Sequence, residues 1–329
     1  MLKNPPKRLI LKLGTQCNLG CAHCHQHQKT FKESPNLLDW IHSEKFGRIT
    51  FSGGEPLLYF PIIRHYMEAL GAGTTYRIVT NGTLLTDEMV EFFNRYPTKI
   101  GISYDGEATG RDTSLPVAWE KVKKLRGFSG FSCVLSDPNS SVRRICEDVK
   151  ALVKRENLPF SFSEFVAVGF VHQTRDAPNI AFTSNVAQKY CDGILEQLEK
   201  AVFLFSEEPS KYKGVVRRLV SPWLKKRDYI THGTLCCNPY LLNVNLDGTL
   251  SLCPYGSVEV GNIETGIDWE LVDSYVPERC RHCEHWKICG CSCVGNVTSH
   301  ECEIRKRLIP EVGKLVEKYG VRDKLNEIL

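Results

Sequence analysis

The chain contains 329 residues, of which 42% are hydrophobic and 24% are charged, and its formal net charge at pH 7 is +4. These are the values of a globular protein, and they exclude a wholly disordered chain. No stretch approaches the roughly 18 apolar residues of a membrane-spanning helix, and the N-terminus lacks the apolar run of a signal peptide. Because Lys and Arg are scattered, we expect no nucleic-acid and no membrane partner, and we predict a soluble cytoplasmic protein.

Short β-rich runs alternate with helical patterns through the first half of the chain. The predicted strands are Arg8–Leu13, Arg48–Ser52, Arg77–Thr80, Lys99–Tyr104, Phe131–Leu135 and Phe160–Val166. The predicted helices between them are Pro61–Leu70, Asp87–Asn94, Val117–Leu125 and Val142–Glu156. This alternation indicates an α/β fold with a parallel sheet and helices on its outer face. Six units are too few for a closed eight-unit barrel, so we expect a partial barrel or an open crescent.

Two long helices and a hairpin are predicted in the second half of the chain. The helices are Asn185–Phe205 and Lys211–Lys226. Further on, Asp247-Gly248 is a strong turn signal between two β-rich runs, Tyr240–Asn245 and Thr249–Leu252. We therefore expect a β-hairpin at this point.

A cysteine- and histidine-rich segment, Pro277 to Cys302, precedes a closing amphipathic helix, Arg305–Tyr319. The segment buries too little apolar surface to fold alone, so metal is the simplest way to hold it. We predict a partial-barrel domain at residues 1–184 and bridging helices at 185–230. A small cysteine-rich domain with the hairpin follows at 231–304, and a C-terminal helix at 305–329.

Twelve of the 15 cysteines fall into two groups, since three lie at positions 17, 21 and 24 and nine lie between 236 and 302; Cys133, Cys146 and Cys191 are isolated. In a reducing compartment, clustered thiols indicate metal rather than disulfides. Cys17, Cys21 and Cys24 follow directly on the first predicted strand. Three thiolates can hold three irons of a cubane cluster and leave the fourth open to a small molecule. Zinc is the alternative, with His25 or His27 as its fourth ligand.

Unusual loops follow the other predicted strands. They are Gly53-Gly54-Glu55-Pro56, Thr80-Asn81-Gly82 and Ser103-Tyr104-Asp105-Gly106, and the sixth strand carries Ser163 and Glu164. The carboxyl ends of parallel strands meet at one edge of a sheet, where ligands bind. Glycines there allow close approach of a ligand to the backbone, and a carboxylate can pair with an ammonium group.

Together these residues resemble the radical S-adenosylmethionine (SAM) enzymes over about residues 8–170. Cys17-x3-Cys21-x2-Cys24 resembles the family's signature, and the resemblance implies a 4Fe–4S cluster that binds SAM within a six-unit partial barrel. Gly53, Gly54 and Glu55 resemble the segment for the methionine amine, and Ser103 and Asp105 resemble a segment near SAM. Asn81 is a further candidate at this edge, and His23 would pack near the adenine. The implied chemistry is reductive cleavage of SAM to a 5′-deoxyadenosyl radical that abstracts a hydrogen atom from a substrate.

The C-terminal cysteines resemble the SPASM extension of radical enzymes that modify peptides, although their spacing alone also suits zinc. The resemblance implies two auxiliary 4Fe–4S clusters, hence three clusters in all. It assigns an outer cluster to Cys280, Cys283, Cys289 and Cys302, and an inner cluster to Cys237, Cys253 and Cys293. Cys236 is the candidate eighth ligand, a hydrogen-atom donor or a spectator. As an eighth ligand it needs a bend in the chain, because adjacent residues of an extended chain point to opposite sides.

The SPASM resemblance implies a peptide substrate, and auxiliary clusters suit a net oxidation because they offer a path for the second electron. We expect a carbon–carbon, ether or thioether crosslink in a ribosomally made peptide. Formylglycine formation, as in sulfatase maturases, and epimerisation with Cys236 as donor are alternatives. A zinc-stabilised binding module is the non-enzymatic one, and a simple electron-transfer protein is a third class. Asp105 and Glu164 are candidate acid–base groups by position.

The expected partners are a peptide and a reductant such as flavodoxin or ferredoxin. Only about seven residues precede the first predicted strand, so we expect no N-terminal leader-binding module in this chain. A separate leader-binding protein is therefore a further candidate partner.

Overall fold

The computed structural model describes residues 6–24, 30–107, 110–135, 141–159, 167–170, 184–227, 234, 237–253, 258–290 and 300–328. Ten strands form one mixed sheet in the order β10-β9-β8-β7-β1-β2-β3-β4-β5-β6. The first six are β1 Arg8–Lys12, β2 Arg48–Ser52, β3 Thr75–Thr80, β4 Thr98–Ser103, β5 Phe128–Leu135 and β6 Ala167–Phe170. The others are β7 Leu241–Asn245, β8 Thr249–Ser251, β9 Glu259–Asn262 and β10 Gly266–Ile267.

The strands β1 to β6 lie side by side in chain order, and each is parallel to the next. The helices between them are α1 Leu37–Glu44, α2 Phe60–Leu70, α3 Asp87–Phe93, α4 Trp119–Val122 and α5 Val142–Arg155, and a short 3₁₀ helix, Pro56–Tyr59, precedes α2. This arrangement confirms the predicted parallel α/β organisation. The predicted strand Phe160–Val166 lies outside the described residues, and β6 follows it. The partial closure into a barrel stays a prediction.

Alternating side chains of these strands build the core. In β1, Leu9 and Leu11 are fully buried, while the other three residues of the strand are partly exposed. In β2 and β3, Phe51 and Tyr76 stack with ring centroids 6.1 Å apart. The core therefore lies against the sheet, and the strand ends are left to carry polar loops.

The C-terminal hairpin extends the same sheet. The strand β7 pairs with β1 in parallel register, and β8 then pairs antiparallel with β7. The hairpin predicted at Asp247-Gly248 is confirmed, because Gly248 donates its N–H to Asn245 O at 2.9 Å and has a φ of 87°. This positive φ explains the glycine. The C-terminal hairpin thus shares one sheet with β1 to β6.

Eight helices lie in the second half of the described chain, and several of them pack against one another. They are α6 Ser184–Glu207, α7 Pro209–Leu219, α8 Ser221–Leu224, α9 Trp269–Ser274, α10 Glu278–Arg281, α11 Trp286–Cys289, α12 His300–Lys318 and α13 Arg322–Asn326. Contacts between α6 and α12 include the ion pairs Arg307–Asp192 and Lys318–Glu199. None of the helices within the described ranges is long and apolar enough to cross a membrane.

The single predicted helix Lys211–Lys226 is wrong. The structure has α7 ending at Leu219 and α8 beginning at Ser221, with Pro222 in the first turn of α8. Proline lacks the backbone N–H that a continuous helix would need at this position, whereas the first turn of a helix tolerates it. Residues 225–227 are not helical.

Candidate active site

The cysteine loop follows β1 at the carboxyl edge of the sheet. Cys17 and Cys21 are half-buried, and Cys24 is exposed. Leu19 N–H donates to Cys17 Sγ at 3.4 Å, and Asp112 N–H donates to Cys21 Sγ at 3.3 Å. Burial raises the pKa of both thiols, while these N–H donors act in the opposite direction because they favour the thiolate. The loop thus presents three accessible sulfurs, two of them with backbone donors.

The glycine pair after β2 packs directly on the backbone of the cysteine loop. Gly54 N–H donates to Gly14 O at 3.2 Å, and Glu55 N–H donates to Gln16 O at 2.8 Å. A Cβ on Gly53 would lie 2.5 Å from Gly14 O, and a Cβ on Gly54 would lie 2.3 Å from Gln16 O. Only glycine therefore allows the two strand-end loops to meet.

Replacing Gly54 by Ala is expected to destabilise the protein by roughly 2–4 kcal/mol, because the obstructing atoms belong to the backbone and cannot rotate away. Gly73→Ala is the matched control, since a Cβ there meets nothing within 4 Å. At Gly73 we expect no loss and a gain of up to about 1 kcal/mol. Urea denaturation of the two variants measures the difference, and equal stabilities would contradict the packing described above.

Glu55 is a buried carboxylate that joins three segments of the site. Its side chain accepts hydrogen bonds from Leu57 N–H at 2.9 Å, from the Thr80 hydroxyl at 2.6 Å and from Asn81 N–H at 2.8 Å. The residue is 1% exposed, and burial raises its pKa although the three donors oppose this shift. The carboxylate is therefore turned into the protein. Its predicted pairing with a ligand ammonium stays a prediction.

Asn81 links the turn after β3 to the cysteine loop. Its amide donates to Asn18 Oδ1 at 2.9 Å, and Asn18 in turn donates to the Thr83 hydroxyl at 2.8 Å. Thr83 closes the network by donating its N–H to Asn81 Oδ1 at 3.0 Å. The Asn81 amide also lies 3.9 Å from Cys17 Sγ. The structure thus places Asn81 beside the predicted cluster, as the strand-end argument expects.

Asp105, after β4, is fully buried and engaged by its neighbours. Its Oδ2 lies 2.8 Å from Arg111 Nη2 and 3.7 Å from His23 Nε2, and its Oδ1 accepts from Val134 N–H at 2.8 Å. Burial, together with the Arg111 guanidinium, holds the pKa of His23 below its usual value, although Asp105 opposes this shift. Among the residues that the structure describes, none offers a hydrogen-bond partner to the buried Nδ1 atom of His23. Ser103 is the last residue of β4 and is partly buried at the same edge.

Four residues of this region were not predicted from the sequence as part of the site: Asn18, Thr83, Arg111 and Asp112. Asn18 lies between the motif cysteines, and Thr83 follows Asn81-Gly82, so both were adjacent to recognised segments. Arg111 and Asp112 follow Asp105 by six and seven residues in a stretch without periodicity. Nothing in the sequence indicated that this stretch turns back onto the cysteine loop.

The C-terminal cysteines are only partly described. Cys237 and Cys253 are both buried, and burial together with the neighbouring Cys253 raises the pKa of Cys237 to about 12. Four others are half-buried: Cys280, Cys283, Cys289 and Cys302. The predicted ligands Cys236 and Cys293, and the candidate Glu164, lie outside the described residues. Their assignments stay predictions.

Hydrogen bonds join Thr234 to Cys237 and Asn238. Thr234 N–H donates to Cys237 O at 2.7 Å, and Cys237 N–H donates to the Thr234 hydroxyl at 3.1 Å. Asn238 also donates through its amide to Thr234 O at 2.9 Å. Thr234 and Cys237 therefore lie close together, and the predicted role of Cys236 stays a prediction.

The donor set of the cysteine loop fits an iron–sulfur cluster. Among the residues with described positions, no three His, Cys, Asp or Glu side chains are grouped closely enough to hold one metal ion. A zinc ion needs all its ligands on a single centre, whereas each thiolate of a cubane binds a different iron. By number and chemistry, a set of three thiolates suits a cubane cluster with one open iron. His25 and His27, the alternative zinc ligands, lie outside the described residues.

Comparison with known families supports the same conclusion. Residues 11–110 match the family model of the Radical SAM superfamily. This segment contains the three cysteines and the polar loops after β2, β3 and β4, and the chain therefore carries a radical SAM domain.

Two curated relatives match part of the chain. The chain is 34% identical over 171 residues to the uncharacterized protein MJ0907 of Methanocaldococcus jannaschii. The matched region covers 49% of this chain and 57% of that protein. The chain is also 26% identical over 243 residues to a serine-type anaerobic sulfatase-maturating enzyme of Bacteroides thetaiotaomicron. This matched region covers 66% of this chain and 57% of that enzyme. The chain thus spans just over half the length of these two relatives.

Two solved structures share the fold. Native anSMEcpe with bound AdoMet and Kp18Cys peptide has a TM-score of 0.65 at 18% identity, covering 96% of this chain and 99% of that chain. Streptococcus suis SuiB bound to precursor peptide SuiA has a TM-score of 0.55 at 15% identity, covering 87% and 71%. At such low identity these likenesses concern the fold.

Proposed function

We propose that this protein is a radical SAM enzyme that oxidises a peptide substrate. The observation that carries the proposal is the meeting of the cysteine loop, the Gly53-Gly54-Glu55 turn and Asn81 at one edge of the sheet, joined by hydrogen bonds. A 4Fe–4S cluster with bound SAM would supply the one-electron cleavage that yields a 5′-deoxyadenosyl radical. The six parallel strands would form the partial barrel around this site.

The residues of the chain would bind and orient this cofactor pair. Cys17, Cys21 and Cys24 would hold three irons, and Gly53 and Gly54 would let the methionine end of SAM approach the backbone. Asn81 and Ser103 line the same edge, and His23 would pack near the adenine. The buried Nδ1 of His23 is a polar atom that such a ligand could engage. Asp105 and Glu164 are the proposed acid–base candidates, although Asp105 is held by Arg111.

The C-terminal cysteines would hold two auxiliary clusters. We assign Cys280, Cys283, Cys289 and Cys302 to one, and Cys237, Cys253 and Cys293 to the other, with Cys236 as its fourth ligand. Cys237 and Cys253 lie close enough together for one to raise the pKa of the other, which supports their assignment to one cluster. Such clusters would accept the second electron of the oxidation, and an external flavodoxin or ferredoxin would supply the first.

The reaction we propose is an oxidative crosslink within a ribosomally made peptide. SuiB in complex with the precursor peptide SuiA is a structural neighbour, so a peptide fits the fold. A carbon–carbon, ether or thioether bond would form with loss of two hydrogen atoms: one goes to the deoxyadenosyl radical, and the other leaves as a proton and an electron.

A second candidate is formylglycine formation. A curated relative is a serine-type anaerobic sulfatase-maturating enzyme. The structure of anSMEcpe, a neighbour in fold, covers 96% of this chain. In that reaction a serine side chain loses two hydrogen atoms and becomes an aldehyde. The second candidate therefore predicts the same mass change as a crosslink but a different functional group.

Anaerobic reconstitution tests the proposed chemistry. We expect about twelve irons per chain, corresponding to three cubanes, and formation of 5′-deoxyadenosine after reduction with SAM present. Colourless protein that binds zinc and forms no 5′-deoxyadenosine would overturn the proposal in favour of the metal-stabilised binding module.

Mass spectrometry of candidate peptides separates the possible reactions. Loss of two hydrogens with no reaction toward a hydrazide reagent supports a crosslink, and trapping by the hydrazide supports formylglycine. Incorporation of solvent deuterium at an α-carbon without oxidation would identify an epimerase with Cys236 as donor. Peptides encoded beside this chain in the genome are the first substrates to try.

A further inference from the structure

Residues Gly110–Asp112, which we call the strap, cross over the cysteine loop. Gly110 O accepts from Ala22 N–H at 2.8 Å, and Asp112 N–H donates to Cys21 Sγ at 3.3 Å. The Asp112 carboxylate reaches back to accept from Gly20 N–H at 2.8 Å. Three hydrogen bonds thus join the strap to residues 20–22, and one of them ends on a predicted cluster ligand.

The strap is anchored to the sheet through a buried ion pair. Arg111 binds Asp105 Oδ2 through Nε at 3.0 Å and Nη2 at 2.8 Å, and Asp105 accepts from Val134 N–H of β5 at 2.8 Å. The Asp105 side chain is 0% exposed and that of Arg111 is 17% exposed. A rigid path therefore runs from β5 through Asp105 and Arg111 to the backbone of Asp112.

The carboxylate of Asp112 accepts two backbone hydrogen bonds, one from the cysteine loop and one from the residues after the strap. While Oδ2 accepts from Gly20, Oδ1 accepts from Ser114 N–H at 2.8 Å. The donors that bind this carboxylate hold its pKa below the usual range, Gly20 N–H having the largest effect. The geometry points to Asp112 as a positioning residue that aims its backbone N–H at Cys21 Sγ and so tunes the reduction potential of the cluster at the cysteine loop.

The expected effect follows from the charge on the ligand sulfur. A hydrogen bond to a cluster thiolate withdraws negative charge and favours the reduced cluster, which carries one more electron. Without the Asp112 carboxylate, the strap loses its tie to Gly20 and the N–H moves away from Cys21. The inference rests on the proposed function, because it needs a cluster at these cysteines.

Redox titration of the reconstituted full chain tests the inference. Each reduced cluster gives an electron paramagnetic resonance signal. The signal that changes when SAM is added belongs to the cluster at the cysteine loop. With Asp112→Ala, we expect its ratio of reduced to oxidised form at a fixed potential to fall by about three- to tenfold, the size of one net hydrogen bond. Asp112→Asn keeps an acceptor oxygen and is expected to restore most of the ratio, and Thr113→Ala, an exposed neighbour, serves as the control.

A second measurement works even if Asp112→Ala fails to assemble its cluster. Protein labelled with ¹⁵N-aspartate should show a ¹⁵N coupling to the reduced cluster by pulsed resonance methods, and the Asp112→Asn variant with the same label should lose it. An unchanged potential in an assembled Asp112→Ala protein, or a coupling equal in the two labelled proteins, would overturn the inference. Absence of 5′-deoxyadenosine from a wild-type chain that has a normal cluster would instead count against the proposed function alone.

Discussion

Replacing Cys17, Cys21 and Cys24 together by Ala is expected to abolish formation of 5′-deoxyadenosine and to remove about four irons per chain. No other cysteine of the described structure belongs to the cysteine loop, so the loss of these thiolates leaves SAM without its cluster. The auxiliary irons should remain, since their proposed ligands lie on β8, α10, α11 and α12 and their neighbouring loops. Iron analysis and chromatography of the reaction products measure the two effects.

The matched control for this variant is Cys146→Ala. Cys146 is a half-buried cysteine on α5 whose sulfur accepts a hydrogen bond from Gln197 Nε2 at 3.1 Å. We expect its iron content and product formation to equal those of the wild type. Persistent SAM cleavage in the triple variant would end the proposal, and equal loss in the control would point to a general sensitivity to cysteine replacement.

The strands that build the site were predictable from local pattern. In β1, the buried Leu9 and Leu11 lie between partly exposed residues, and in β2 the buried Ile49 and Phe51 alternate with polar residues. Because helices separate these strands, the parallel order and the common carboxyl edge follow from chain connectivity alone. The placement of Glu55 and Asn81 beside the cysteine loop is therefore a consequence that the sequence could reveal.

Long-range pairing was not predictable in the same way. The strand β7 pairs with β1 although more than 200 residues separate them, and neither strand carries a local signal for its partner. The contact between the strap and the cysteine loop was equally unpredictable, because Asp112 and Gly20, which form a hydrogen bond, are 92 residues apart in the sequence. Contacts of this kind depend on the complete core, and periodicity reports only on the chain a few residues away.

Two short helices, α1 and α8, were not predicted from the sequence, for a different reason. The helical pattern of Lys211–Lys226 continues across Pro222, but α8 begins as a new helix there. The short helix α1 was not predicted at all, although Leu37 and Ile41 form its buried face. Eight residues give too few turns for periodicity to stand out, and tertiary packing then decides the structure.

Replacing Glu55 by Ala is expected to destabilise the protein by about 3 kcal/mol or more. The change leaves the buried N–H groups of Leu57 and Asn81 and the Thr80 hydroxyl without their acceptor. The loops after β2 and β3 would also lose the tie that sets their spacing at the candidate site. Denaturant unfolding of the cluster-free protein, compared with the wild type prepared in the same way, measures this cost.

Glu88→Ala is the control, because this glutamate has a side chain 64% exposed and pairs with Arg64 at the surface. Its replacement should change stability by no more than about 0.5 kcal/mol. A third variant, Glu55→Gln, keeps the volume but turns an NH₂ group toward a backbone donor, so we expect a stability between those of the wild type and Glu55→Ala. Equal stabilities of the Glu55→Ala and Glu88→Ala proteins would mean that the carboxylate does not tie the loops together.

The pH dependence of stability distinguishes the charge of Glu55 from its hydrogen bonds. Burial raises the pKa of Glu55 in the folded state, so the folded protein binds this proton more tightly than the unfolded chain. Between the unfolded and the raised folded pKa, the contribution of this group to the free energy of unfolding therefore increases as the pH falls. Glu55→Gln cannot bind the proton, so its stability relative to the wild type should improve as the pH rises through that window. A difference between the two proteins that is constant with pH would show that the hydrogen bonds fully offset the effect of burial on the pKa of Glu55.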